Sequence, residues 1–395
     1  MRITRFLRNG NVTPEDIVST ARGRTCGLVV GRHVLAIQDT TTLRDDGKLE
    51  SLNLHAMIAV DAADGSVLGL VEALFLKHVG GKKHQRAVRA FADKESRRWL
   101  AATQVAADLS SAGAACVTVV ADRECDIYEE FAYRPAATEL LIRASQDRVL
   151  KDGGKLYGCL AEEPELGREV LKLPARPGQA KRDVVLALRA RQVSLKRPRR
   201  KCPGDGDDLP KEVTLTLVEA REIDPPVNVV PVHWRLLTTH RATTLAEAQQ
   251  ITHLYRQRWT IEQLFRVMKT KGFDIEAVRV TEGGPFENLT AATIVAAVQV
   301  LQMVRERDGV AGRPIDDVLD PDERPALEAI CRTLEGKTDR QKNPHPPGSL
   351  AYATWVCSRL GGWTGYYGKP GPIVIFQGII ALKAMIAGWK IAQNV

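Results

Sequence analysis

The 395-residue sequence predicts an α/β fold: a mixed sheet flanked by helices, with an inserted antiparallel β subdomain and a helical C-terminal region. Three observations carry that expectation. Short, nearly continuous apolar runs at 34–37 and 117–121 have the character of strands covered on both faces. Longer runs between 169 and 223 alternate apolar and polar residues, the period of an antiparallel sheet. Helical segments with polar caps stand between and after these strands.

Taken in order, TPEDIVSTARGR reads as a helix with Thr13 as N-cap and Pro14 at its first position. HVLAIQDTTTL (33–43) reads as a buried strand that delivers Asp39 at its polar end, although an aspartate there also suits a plain turn. LHAMIAV (54–60) and VLGLVEALFL (67–76) follow as strands joined through Asp64-Gly65, a hairpin turn pair. A basic stretch at 77–98 leads into a helix through Trp99 and Leu109, and AACVTVVADRECD supplies the strand ending on Asp122-Arg123. A helix over 126–132 and a strand LLIRAS carrying Arg143 complete the first half. EVLKLPA, DVVLALRARQVSLK and EVTLTLVEAREI are the inserted strands, with KRPRRKCPGDGDDLPK as a Pro/Gly-broken loop. HWRLLTT (233–239) returns to the core, ENLTAATIVAAVQVLQMVRER is a packing helix, and the chain closes on an apolar helix at 373–391.

Composition narrows the function classes. Lys+Arg 56 against Asp+Glu 48 gives +8, a modest excess that suits a polyanionic partner. Nine Lys/Arg against one acid crowd residues 180–202, read either as a solvated basic loop or as a DNA contact. Seven scattered cysteines without CxxC point to reduced thiols and away from a disulfide frame or a zinc site. No apolar run of membrane-span length and no signal segment is expected, nor any metal-binding histidine spacing, with His240 and His253 read as structural or exposed. A cytoplasmic protein follows from this reading.

The most informative stretch is 244–272. Thr244 with Glu247 makes a capping box, Gly272 offers a stop, and one long helix is expected between them. On such a helix Tyr255, Arg258, Glu262 and Lys269 fall within roughly 60° of arc, beside an apolar stripe of Leu254, Ile261, Leu264, Phe265 and Met268. A solvated face with i,i+4 ion pairs is the competing reading.

The spacing Y-x2-R-x3-E-x6-K resembles the signature of bacterial cut-and-paste DDE transposases of the insertion-sequence-4 family, and QDTTTL with Asp39 and ADRECDIYEEF with Asp122 match that family in order. The resemblance covers nearly the whole chain. It implies a ribonuclease-H-like core from 33–145 and 239–308, a β insertion at 146–238, a C-terminal helical dimerisation region at 309–395, and residues 1–32 as the end of an N-terminal DNA-binding domain that family members carry at greater length. It also implies Asp39, Asp122 and Glu262 as catalytic ligands of two Mg²⁺ ions, with Mn²⁺ as a substitute. Such ions need shared anionic oxygen donors. Tyr255, Arg258 and Lys269 are then phosphate-holding groups, and Arg123 and Arg143 weaker DNA contacts or simple ion-pair partners. Trp234 matches a position that stacks on a flipped base; a core tryptophan fits it equally well. The implied partners are transposon ends, target DNA and a second copy of the chain, with no membrane, and the implied place is the nucleoid. A shortened, DNA-binding regulator of transposition is the alternative, and a nuclease with the same core but no strand transfer a third.

Overall fold

The computed structural model describes residues 2–45, 50–79, 96–175, 180–199, 208–270, 272–280 and 282–393. Nine strands form one mixed sheet in the order β3-β2-β1-β4-β5-β9-β8-β7-β6: β1 His33–Asp45, β2 Glu50–Asp61, β3 Val67–Val79, β4 Cys116–Ala121, β5 Glu139–Arg143, β6 Gly167–Leu173, β7 Arg182–Lys196, β8 Glu212–Glu222 and β9 His233–Thr238. The α-helices among the described residues are α1 Arg2–Leu7, α2 Pro14–Leu28, α3 Arg97–Ser111, α4 Tyr128–Tyr133, α5 Leu245–Arg256, α6 Trp259–Lys269, α7 Gly283–Glu306, α8 Arg324–Leu334, α9 Leu350–Leu360 and α10 Pro372–Gln393. This is the α/β, ribonuclease-H-like architecture expected from the sequence.

The chain divides into two compact units, 31–39 with 79–258, and 1–30 with 40–78 and 259–395. In the first, β1, β4 and β5 run parallel, and β9, β8, β7 and β6 continue antiparallel. The apolar runs explain the parallel part: 34–37 and 117–121 and 140–142 are all buried, as strands covered on both faces require. Helix α3 packs on β4 through a face that includes Trp99, Ala102, Ala106 and Leu109. The inserted strands bond through β9 to this same sheet. Helix α5 packs on β6, β7 and β8.

In the second unit, helix α2 starts at the expected N-cap Thr13, whose hydroxyl accepts from the Asp16 amide, and the Asp16 side chain closes a capping box that was not foreseen. The turn between β2 and β3 closes as expected, with Gly65 at φ 75° and the Asp61 amide donating to the Ser66 carbonyl at 2.9 Å. Helix α7 is the centre, packed against α2, α6, α9 and α10. Gly378 lets α10 lie directly on the Cys357 carbonyl of α9, where any Cβ would collide.

Three expectations are corrected. Residues 244–272 are not one helix: α5 stops at Arg256, a turn occupies 257–258, and α6 ends at Lys269, short of Gly272. The ladder tightens there, Gln257 and Arg258 donating three residues back to Leu254 and Tyr255 at 3.1 and 3.0 Å. No proline or glycine marks the break, so periodicity could not show it, and the common arc for Tyr255 through Lys269 no longer holds. Of the two overlapping readings of 180–202, the strand DVVLALRARQVSLK holds, as β7, and the solvated loop does not hold over those residues. Arg182 pairs with Glu222 and Arg189 with Glu219, while Arg200 and Lys201 lie outside the described residues, as does most of 77–98. Finally, α7 and α10 are both long and apolar enough on average to span a bilayer. Scattered polar residues such as Lys383 break each run without lowering its mean enough. The α7 span is mostly buried, that of α10 mostly exposed.

Candidate active site

Register places the first two carboxylates. His33 lies opposite Cys116 and Ile37 opposite Val120, an offset of 83 residues, and the same offset takes Asp39 to Asp122. Both lie just past the last pair of the β1/β4 ladder, Asp39 in the middle of β1, which runs on to Asp45 rather than ending at this residue as the sequence suggested, and Asp122 directly after β4. Strand alternation turns Asp39 to the face of His33, Leu35 and Ile37, and Asp122 to that of Cys116 and Thr118. Asp122 follows the last residue of β4 in extended backbone and leads a 3₁₀ turn over 123–125.

One guanidinium spans the pair. Arg258, 6% exposed, reaches Asp39 Oδ2 with Nη1 at 3.1 Å and Asp122 Oδ2 with Nη2 at 3.9 Å. The Tyr255 phenol donates to Asp122 Oδ1 at 3.1 Å. Burial, and then the Asp122 charge, push that phenol well above its ordinary pKa, so it stays a neutral donor. Arg143 stands 4.0 Å from Asp122 Oδ1 and donates to the His233 carbonyl, and Trp234 meets the Tyr255 ring edge-on at 5.5 Å between centroids. The two aspartate side chains keep 23% and 32% of their surface open. Thus Asp39, Asp122, Arg143, Trp234, Tyr255 and Arg258 gather in one unit. Arg123 is exposed in the 3₁₀ turn.

Glu262 and Lys269 belong to the other unit, on α6. Glu262 is half-buried in the first turn. Lys269 Nζ bonds the Thr42 carbonyl at 2.5 Å and Glu276 at 2.9 Å.

Sequence reasoning missed what fixes the Asp122 turn. Asp126, four residues on, is 1% exposed and takes two bonds from Arg148, together with the amides of Ser145 and Gln146. A buried charge survives only when so completely paired. The two aspartates of DRECD thus separate: Asp126 ties the turn to the segment after β5, and Asp122 keeps an open side. Only the alternation of β4 against the turn distinguishes them in the sequence.

A family model described as the transposase DDE domain matches residues 44–298, about two thirds of the chain. The chain belongs to that family. Asp122, Tyr255, Arg258, Glu262 and Lys269 fall within the match, and Asp39 lies just ahead of it. The family acts on DNA and generally uses divalent metal ions. In this transposase the donors fit such an ion: two part-exposed carboxylates on neighbouring strands, all oxygen, with one guanidinium between them and therefore a residual negative charge.

Proposed function

We propose that this chain is a cut-and-paste transposase of the insertion-sequence-4 type, with Asp39, Asp122 and Glu262 as the carboxylates that hold two Mg²⁺ ions, Mn²⁺ substituting. The observation that carries the reading is the pairing of Asp39 with Asp122 through Arg258, three residues far apart in sequence brought together where the β1/β4 ladder ends. When bound, the metal supplies charge neutralisation at the attacked phosphate and a more acidic water or 3′-hydroxyl. The chain's own groups do the rest. Arg258 balances the carboxylates before metal and DNA arrive, then offers its fork to phosphate oxygens. Tyr255 holds Asp122 in orientation and donates a proton without losing it. Lys269, with Arg143 and Arg123 as further candidates, steadies the DNA backbone. Trp234, half-buried against Tyr255, offers a ring on which a base can stack once unpaired.

By the family resemblance the route is a nick releasing a 3′-hydroxyl, its attack on the opposite strand to form a hairpin, hairpin hydrolysis, and joining to target DNA. We assign α10 to pairing of two copies, supported by its outward Ile373, Ile380, Met385, Trp389 and Ile391, and the work to the cytoplasm and nucleoid. The test is Mg²⁺-dependent cleavage of the DNA ends flanking the coding sequence, wild type against Glu262→Gln. The variant is expected to lose at least about 10²-fold in rate, the scale of losing a principal electrostatic group. Equal cleavage by both removes Glu262 from the site, and cleavage without joined product favours the nuclease reading.

A further inference from the structure

The far end of the same strands carries a second group of donors. His33 opens β1, Cys116 opens β4 directly opposite it, and His240 follows β9 by two residues. Their ligand atoms all lie within 4.8 Å of one another, and all three side chains are half-buried. The two imidazoles stand 5.9 Å apart between centroids, tilted by 53°. Both turn their Nε2 atoms to one hydroxyl: Thr118 Oγ1 is 2.9 Å from His33 and 2.8 Å from His240. Thr118 shares the face of Cys116, and its hydroxyl is 4.0 Å from the thiol sulfur.

We infer that His33, Cys116 and His240 form a binding site for a borderline-soft divalent ion of the zinc class, separate from the carboxylates of the active site. Two imidazoles and a thiolate are the donors such ions select, whereas Mg²⁺ prefers oxygen. Six residues of β1 separate His33 from Asp39, about 20 Å at the strand rise, so the ions do not share ligands. Tetrahedral bonds of about 2.0–2.3 Å put neighbouring donors about 3.3–3.8 Å apart. Closing the group therefore takes a movement of about 1 Å or less per side chain. The proton balance is simple. Each neutral imidazole exchanges its bond with Thr118 for the ion, the Cys116 thiol releases one proton to solvent as its sulfur bonds the metal, and a water takes the fourth position. The bound ion fastens the leading ends of β1 and β4 to the segment after β9. An ion that binds only the folded chain raises its stability by mass action.

The test is a Co²⁺ titration of the full chain, stripped of metal and held in millimolar Mg²⁺ so that oxygen sites are filled. One equivalent is expected to produce a thiolate-to-cobalt charge-transfer band, to be displaced by Zn²⁺, and to raise the melting temperature by several degrees at a hundredfold excess over Kd. Cys116→Ser is expected to abolish the band, His33→Ala and His240→Ala to weaken binding at least tenfold, and Cys159→Ser to change nothing. Should Cys116→Ser not fold, the two histidine variants read the same site. Absence of the band in the wild-type chain, or its persistence at full strength in Cys116→Ser, overturns the proposal.

Discussion

The parallel ladder of β1 with β4 has one register and opposite chemistries at its two ends. Just past its trailing end, an offset of 83 residues takes Asp39 to Asp122, and the surroundings are a guanidinium and a phenol. At the leading end the same offset pairs His33 with Cys116, and the surroundings are a hydroxyl and a second imidazole. Alternation puts both pairs on one face, because each lies an even number of residues from the other. Parallel pairing thus makes donor groups from residues with no local spacing at all, and on the proposed reading the type of donor decides which ion each end accepts.

The comparison breaks most readily at Arg258. Replacing it with alanine leaves two neighbouring carboxylates without their buried counter-charge and is expected to cost about 3 kcal/mol, reduced to the extent that water reaches them. Added Mg²⁺ should then raise the melting temperature more in Arg258→Ala than in the wild type, since ion and guanidinium compete for the same oxygens. Equal shifts in both proteins would separate Arg258 from metal binding. Co²⁺ binding at the leading end should not change.

The opposite face of β1 offers a control insulated from both ends. Gln38 bonds Thr103, which in turn donates to Glu130, a fully buried carboxyl whose pKa burial raises to about 7 against the opposing Thr103 hydrogen bond. The folded protein therefore binds more protons than the unfolded chain between about pH 4.5 and 7, and stability falls as pH rises through that window. Glu130→Gln removes the penalty. Its stability relative to wild type, from denaturant unfolding, should grow from near zero at pH 4 to about 3 kcal/mol at pH 8. A difference independent of pH would contradict the buried-carboxyl account.

The smallest expected effect concerns the end of β7. Lys196 and Arg199 are exposed, and Arg197 is half-buried and donates to the Leu209 carbonyl, whereas Arg182 and Arg189 are held in ion pairs within the sheet. Changing Lys196, Arg197 and Arg199 to glutamine should weaken DNA binding, and the slope of log affinity against log salt should fall by about 0.9 for each phosphate no longer neutralised. An unchanged slope makes the segment a solvated edge.

Much of this fold was legible because local chemistry and tertiary structure agree. The N-cap at Thr13 and the capping box at Thr244 formed as expected, and the apolar runs of β1, β4 and β5 were buried on both faces. Where legibility failed, the cause was long-range. The break at 257–258 has no helix-breaking residue, and it coincides with the point at which Arg258 turns to two carboxylates. Alternation showed the strand DVVLALRARQVSLK but not that the basic residues Arg182 and Arg189 are paired, because their partners, Glu222 and Glu219, arrive from β8. The ligand group of His33, Cys116 and His240 spans 83 and then 124 residues, distances no spacing rule covers. Asp39 and Asp122 were found because a family pattern supplied what spacing lacks.

The most direct test of the central claim is cleavage of the flanking DNA ends by Asp39→Asn and Asp122→Asn, each checked for folding by circular dichroism and assayed with Mg²⁺ and with Mn²⁺. Both variants should lose at least about 10²-fold in rate while still binding the DNA. Wild-type cutting by either folded variant would show that Asp39 and Asp122 do not together carry the chemistry.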